Sequence, residues 1–412
     1  MELKAGYKQT EMGVIPEDWK SEPLGKYFVF KNGLNKSKEF FGYGTPIVNY
    51  MDVYANAGIY ASYLLGRVEV TRQELDSFGV KKGDVFFTRT SETVDEVGIT
   101  SVLLDDSPNT VFSGFVLRAR PKNDELDNNF KKYCFSSSLV RKQIISKSTY
   151  TTRALTNGRV LSDVFLPCPS TKTEQEAIAE ALSDADALIG SLEQLIHKKR
   201  QIKQGAMQEL LTGKKRLSGF SREWTIKQVS ELGEVITGGT PRTNITSYWG
   251  EGYPWITPTD ISAQRDMYLS ERAITLDGLQ TIRKLPDNTV LITCIASIGK
   301  NAILKVAGAC NQQINALIPN KQSCAEYLYY LFELNKQLLI SNAGITATLM
   351  ISKNTFQDVR LKVPEFEEQT AIATIINDMD DELDALATKL TKARQIKQGM
   401  TQELLTGRIR LV

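Results

Sequence analysis

Arg200-Gln201-Ile202-Lys203-Gln204-Gly205 is followed closely by Gln208-Glu209-Leu210-Leu211-Thr212-Gly213. Both runs return unchanged as Arg394-Gln395-Ile396-Lys397-Gln398-Gly399 and Gln402-Glu403-Leu404-Leu405-Thr406-Gly407. Working outward, residues 174–217 align without a gap to 368–411, with 23 identities in 44 positions. Chance does not give this, so the chain holds two copies of one unit.

Within each copy the apolar residues recur with a three-four alternation. The first reads Ile178, Leu182, Ala185, Ile189, Leu192, Ile196, Ile202, Ala206 and Leu210; the second reads Ile372, Ile376, Met379, Leu383, Leu386, Leu390, Ile396, Met400 and Leu404. That spacing predicts one long helix per copy with a coiled-coil seam. Each starts after a proline (Pro169, Pro364) and a Glu-Gln pair that puts negative charge in its first turn, and stops at Thr-Gly. About 37 residues at 1.5 Å each give a rod of roughly 55 Å. The shared polar residues Arg200, Gln201, Lys203 and Gln204, with Arg394, Gln395, Lys397 and Gln398, fall on faces that a seam does not use. Their repetition points to a second partner docking twice. His197, the one histidine, follows a heptad position and reads as solvated.

The segments preceding each helix match as a skeleton. Trp19, Leu24-Gly25 and Asn32-Gly33 correspond to Trp224, Leu232-Gly233 and Gly238-Gly239; Pro46 and Asp52 correspond to Pro254 and Asp260. Strand-like runs follow, Val85-Phe86-Phe87-Thr88 and Val290-Leu291-Ile292-Thr293. They lead into unlike turns, Thr88-Arg89-Thr90-Ser91 in one copy and Ser297-Ile298-Gly299-Lys300 in the other. Like scaffolds with different turns suit two domains that read two different targets at a fixed separation.

Composition narrows the function. The chain has 412 residues, 42% apolar and 24% charged, with 50 basic against 48 acidic side chains and a net charge of +2. This is globular and nearly neutral, so a polyanion partner must be met by local patches. No stretch approaches 18 uncharged apolar residues and the start lacks a signal-peptide run, which argues against membrane and export and for the cytoplasm. Five scattered cysteines suggest neither a disulfide framework nor a metal knuckle. There is no Gly-x4-Gly-Lys-[Ser/Thr] loop and no Gly-x-Gly-x-x-Gly. An [Asn/Asp]-Pro-Pro-[Tyr/Phe] segment, by which adenine methyltransferases hold the target base, is also missing. The expectation is therefore no catalytic residue, no metal site and no cofactor in this chain.

Binding features are better represented. Phe130–Lys147 reads as an amphipathic helix with a basic edge of Lys131, Lys132, Arg141, Lys142 and Lys147, suited to phosphates. Arg153 and Arg159 follow a Thr-rich stretch, and arginine suits a bidentate contact with guanine. Asn311-Gln312-Gln313 and Thr346-Ala347-Thr348 offer amides and hydroxyls for base or phosphate.

Taken together, these residues resemble the specificity subunit of type I restriction-modification systems over essentially the whole chain. The resemblance is carried by Gly6-Tyr7-Lys8 through Ile15-Pro16-Glu17-Asp18-Trp19, Gly239-Thr240-Pro241, Ser297-Ile298-Gly299-Lys300, Asn311-Gln312 and both Glu-Gln…Leu-Leu-Thr-Gly helices. It implies an α/β (α+β) fold with an internal pseudo-two-fold repeat. In that layout target recognition domain 1 covers residues 1–168, a spacer helix 169–214, target recognition domain 2 residues 215–363, and a second spacer helix 364–412. The resemblance further implies that each domain reads half of a bipartite double-stranded DNA target, that the helices pack antiparallel and set the unread spacer, and that the subunit is not catalytic. Two methylating subunits and, through them, restriction subunits would be recruited, with S-adenosylmethionine, ATP and Mg held there. The turns around Arg89, Arg242, Lys300, Asn311 and Gln312 become DNA candidates, joined by Lys36, Thr90, Arg153, Arg159, Thr240, Thr243, Ser297 and Thr346. The repeated Arg-Gln-x-Lys-Gln faces become partner candidates. The first domain departs from the pattern, with Lys31-Asn32-Gly33-Leu34 in place of Gly-Gly-Thr-Pro. The alternatives are a protein-binding coiled-coil scaffold without DNA readout and a nuclease or methyltransferase with unfamiliar motifs.

Overall fold

The computed structural model describes residues 5–150, 152–262, 264–345 and 349–411. The chain divides into two compact units that follow contact rather than chain order. The N-terminal unit runs to Glu193 and takes in Thr388 onward; the C-terminal unit is Gln194–Ala387. Each therefore contains one half of each long helix.

The N-terminal unit is organised on a five-stranded sheet of β1 (Phe28–Asn32), β2 (Gly58–Ile59), β3 (Val85–Thr88), β4 (Thr100–Leu103) and β5 (Val116–Pro121), in the order β1-β5-β3-β4-β2. The β4–β2 pair is parallel and the other pairs are antiparallel. The C-terminal unit repeats this with β6 (Gly233–Thr237), β7 (Asp266–Met267), β8 (Thr289–Thr293), β9 (Asn301–Leu304) and β10 (Ile314–Pro319), in the order β6-β10-β8-β9-β7. β3 and β8 are buried at every position, as central strands with helices or loops on both faces should be. The skeleton residues take matching roles. Asp52 accepts the Asn49 N–H and Asp260 accepts the Thr257 N–H, both at 2.8 Å, after structurally equivalent strands.

The two long helices span Lys172–Leu210 and Phe366–Leu404, 39 residues each. Beyond their ends Gly213 and Gly407 take φ of +70°, the left-handed conformation that stops a helix and favours glycine. Within each unit the halves run antiparallel. Asp186 and Glu193 meet Lys397 and Arg394 in one; Lys199 and Lys203 meet Glu382 and Asp380 in the other. The apolar stripe is interrupted where the periodicity suggests continuity, although its last positions, Leu210 and Leu404, are buried again. Ile178, Leu182 and Ile196 are buried, as are Ile372, Ile376 and Leu386, but Ile202 and Ile396 are 47% and 53% exposed. These two isoleucines break register with Ile196 and Leu390 by six residues, which turns them off the seam stripe.

The Glu-Gln pairs are more than first-turn charges, because all four side chains are buried. Glu174 accepts the Trp19 indole N–H at 3.3 Å and both arms of Arg410 at 2.5 and 2.8 Å; Glu368 accepts Trp224 at 3.1 Å and Arg216 at 2.7 and 2.8 Å. Gln175 and Gln369 each bind a backbone loop of their own domain, at Glu125–Asp127 and at Gln322–Cys324. The repeat therefore contains the clamps that fasten each globular domain to its helices.

The helix Ser138–Lys147 is preceded by two 3-10 turns, and its basic edge is divided: Lys142 and Lys147 are exposed, while Lys131 and Arg141 are drawn to backbone carbonyls. Lys131 is buried on the Gly83 carbonyl, where desolvation depresses its pKa to about 8. Arg141 donates to the carbonyls of Asp95, Val97 and Gly98, and Lys147 to that of Asp163. This correction has a simple cause: the carbonyls of neighbouring turns needed donors.

All five cysteines are free thiols, and Cys134, Cys168, Cys294 and Cys310 are buried. Burial pushes Cys294 up to about 11 and Cys310 up to about 12, so little thiolate is present at neutral pH. A thiol reagent is expected to modify at most Cys324 in the native chain and all five in denaturant. Labelling of the other four in native protein, read by mass spectrometry, would contradict this packing. Among the described residues no helix is long and apolar enough to cross a membrane, and no group of His, Cys, Asp or Glu is placed to hold a metal ion.

Candidate nucleic-acid and partner interfaces

In each unit several turns converge at one end of the five-stranded sheet. The central strand ends in a buried threonine that ties down the turn after it. Thr88 Oγ1 donates to the Glu96 carbonyl and accepts the Ile99 N–H; Thr293 Oγ1 donates to the Ser297 carbonyl and accepts the Lys300 N–H. A second turn, Ser113–Phe115 or Asn311–Gln313, lies against the loop leaving the edge strand. A Cβ at Gly33 would stand 2.1 Å from the Ser113 oxygen, and one at Gly238 would stand 2.3 Å from the Cys310 and Asn311 oxygens. Close backbone approach accounts for these two glycines. A hairpin completes each cluster. Thr149–Tyr150 pairs with Ala154–Leu155, which pairs in turn with Thr90–Ser91, while Met350 bridges to Ile295. The frame is thus the same in both units, and the side chains it displays are not.

In the N-terminal unit this end gathers Arg89, Thr90, Arg153 and Arg159. Thr90 pairs with Leu155, the Thr156 N–H donates to the Arg89 carbonyl, and Arg89 and Arg159 line one cleft of about 540 Å³. Arg153 is exposed and lies 3.9 Å from Glu92. Lys36 is engaged elsewhere: it pairs with Glu74 at 2.8 Å, donates to the Glu69 carbonyl and covers the Phe40 ring. In the C-terminal unit Thr240 donates to Gln312 at 2.7 Å, and Arg242, Thr243 and Lys300 are exposed around them. Ser297 is half-buried, with its backbone in the threonine-anchored turn. Asn311 is buried, and its amide is occupied in shaping the turn with Gln313, so it orders the loop rather than facing outward. Thr346 lies outside the described residues.

The repeated helix face also separates into two sets. Lys203 pairs with Asp380 and Lys397 with Asp186. The same carboxylates accept the hydroxyls of Tyr330 and Tyr133, which come from the globular domains. Burial together with the adjoining carboxylate raises both phenols well above their ordinary range. These lysines are parts of a clasp internal to each unit. Arg200, Gln201 and Gln204, with Gln395 and Gln398, are exposed and their side chains bond to no described residue; Arg394 holds Glu193 at 2.6 Å while 58% exposed. With them stand exposed Ile202 and Ile396, which periodicity alone assigned to the seam. In the N-terminal unit Arg394, Lys397 and Gln398 border a cleft of about 560 Å³ with Tyr54 and Tyr133. His197 is exposed on the helix surface.

The class follows from this geometry: a duplicated chain with two recognition-type domains of one topology and unlike loop ends, each clamped to a shared pair of helices. The chain belongs to the family described as type I restriction modification DNA specificity domain, which matches it twice, at residues 16–204 and 221–397. Among curated relatives, the type I restriction enzyme MjaIX specificity subunit of Methanocaldococcus jannaschii is 36% identical over 189 residues, 44% of this chain and 43% of that protein. The putative MjaX specificity subunit of the same organism is 24% identical over 427 residues, 98% of this chain and 97% of that one. The fold is shared with the S subunit of a type I restriction-modification system from M. genitalium (TM-score 0.57, 16% identity, 98% of each chain) and with the HsdS subunit of Thermoanaerobacter tengcongensis (TM-score 0.52, 16% identity, 96% of this chain and 98% of that one).

Proposed function

We propose that this chain is the non-catalytic specificity subunit of a type I restriction-modification complex, in which each unit reads one half of a bipartite DNA target through the loop end of its sheet. The observation that carries the reading is the contrast between frame and display. Thr88 and Thr293, Gly33 and Gly238, and the two sheet orders coincide, while Arg89, Thr90 and Arg159 face one target and Arg242, Thr243, Lys300 and Gln312 face the other. Two methylating subunits dock on the repeated Arg-Gln-Ile-x-Gln faces, and the restriction subunits join through them. S-adenosylmethionine, ATP and Mg belong to those partners, and the complex acts on cytoplasmic DNA.

The test is methylation of a random duplex library by this chain with its methylating subunits. A motif split by an unread spacer is expected, and one uninterrupted motif would overturn the reading. DNA affinity of the same assembly should fall steeply with salt, because phosphates are neutralised. A flat response would favour a purely protein-binding scaffold.

A further inference from the structure

The loop end of the N-terminal unit exposes apolar side chains among its cations. Phe115, at the turn before β5, is 66% exposed, Tyr150 is 59% exposed and Leu155 is 37% exposed. Phe115 comes from one turn and Tyr150 and Leu155 from one hairpin, and the two meet at Arg89 and Thr90. The Arg89 N–H donates to the Phe115 carbonyl at 3.2 Å, and Leu155 pairs with Thr90 on one side and Thr149 on the other.

Arg89 itself is under-satisfied. Its Nε is buried with no hydrogen-bond partner, and its Nη1 has only a 3.5 Å contact with the Gly114 carbonyl. Exposed Arg159 borders the same cleft. Among the described residues the C-terminal unit lacks this combination. There the Cys294 N–H donates to the Gln313 carbonyl, as Arg89 does to Phe115, so Gln313 stands in the place of Phe115 and Cys294 in the place of Arg89. Following the N-caps Asn157 and Ser352, Asn354 stands in the place of Arg159.

A lone exposed ring asks for no explanation. An exposed ring beside a guanidinium short of acceptors, on a turn that the frame leaves free to vary, is a different matter. Arginine and aromatic side chains recur at protein interfaces too, so the choice rests on place: this turn belongs to the loop end assigned above to DNA. Nucleic acid accepts this mixture, since cations meet phosphates while an apolar side chain enters between bases.

We propose that Phe115 is a wedge: its ring enters a base step of the half-site read by the N-terminal unit, while Arg89 and Arg159 hold phosphates flanking that step. The inference rests on the DNA reading above and adds an asymmetry, because the half-site under Gln313 is read without a wedge.

The experiment uses the full chain with its methylating subunits and duplexes of the two-part motif carrying 2-aminopurine at successive positions in each half. Apart from the target base in each half, which the methylating subunits turn out of the stack, wild type is expected to raise the fluorescence several-fold at one further step of one half and at none of the other. Phe115→Ala should abolish that signal and weaken binding roughly ten-fold or more, the scale of losing one base–aromatic contact; Phe115→Trp should retain the signal. Arg89→Ala should reduce the salt dependence of binding by about one phosphate. A split motif with no fluorescent step besides the two target bases, or with that further step unchanged in Phe115→Ala, sinks the wedge and leaves the DNA reading standing. Failure to obtain a split motif sinks both. Because Phe115 is exposed, unchanged thermal melting of Phe115→Ala is the expected folding control.

Discussion

Glu174→Ala is expected to destabilise the N-terminal unit by about 3 kcal/mol, the lower end of the cost of removing one partner from a buried ion pair. The Glu174 side chain is 3% exposed and receives three hydrogen bonds, one from Trp19 and two from Arg410. Its loss leaves the indole N–H of a buried tryptophan without an acceptor and the guanidinium without its main counter-charge. The lower end applies because Arg410 keeps 25% of its side chain exposed and is also held by Asp18 at 2.8 and 2.9 Å, so water and a second carboxylate offset part of the loss. For a unit of this size about 3 kcal/mol lowers the melting temperature by roughly 6–12 °C. Glu368→Ala should do the same to the C-terminal unit, where Trp224 and Arg216 lose the equivalent acceptor. Calorimetry of both variants is the check. A melting profile that Glu174→Ala leaves unchanged would mean that the clamp does not hold the terminal segment.

These clamps show where sequence reading succeeds and where it stops. Periodicity located both long helices, because a seam is a local pattern of three and four residues. It misassigned Ile202 and Ile396, since any isoleucine near the right spacing looks like a seam residue until the facing helix is in place. The Glu-Gln pairs were legible as helix starts, yet their burial depends on Trp19 and Arg410, residues about 155 positions upstream and 236 downstream of Glu174. Only antiparallel packing of the two copies brings those together. The unlike turns were singled out from the contrast between Thr88-Arg89-Thr90 and Ser297-Ile298-Gly299-Lys300, and each lies at the loop end of its sheet. Which side chains face outward was not legible, because it depends on local hydrogen bonds. Asn311 is drawn into its own turn, Lys36 to Glu74, and Arg141 to three carbonyls. Phe115 had no signal at all, since an exposed phenylalanine and a core one read alike in a linear chain.

Replacing Ile202 and Ile396 together by aspartate is expected to abolish methylation while leaving the chain folded. Both side chains are about half exposed, so the substitutions cost the native fold little beyond aspartate's weaker helix propensity, a few tenths of a kcal/mol each. The interface is where they act. Gln201 flanks Ile202, while Arg200 and Gln204 lie across the helix from it, and the polar groups of all three bond to nothing described in the chain; Gln395 and Gln398 stand likewise to Ile396. A partner that grips both sides must wrap the helix, with the exposed isoleucine as the apolar centre of its contact. Aspartate at that centre would be desolvated without a partner, and a loss of at least about 2 kcal/mol per site corresponds to roughly 30-fold weaker docking. Because the face occurs twice, each single variant should assemble with one methylating subunit instead of two, and the double variant with none. Light scattering of the assembled complexes separates these stoichiometries. Full occupancy by two subunits in the double variant would show that the repeated face serves the fold alone, and the identity of its exposed residues between the copies would then have no physical account.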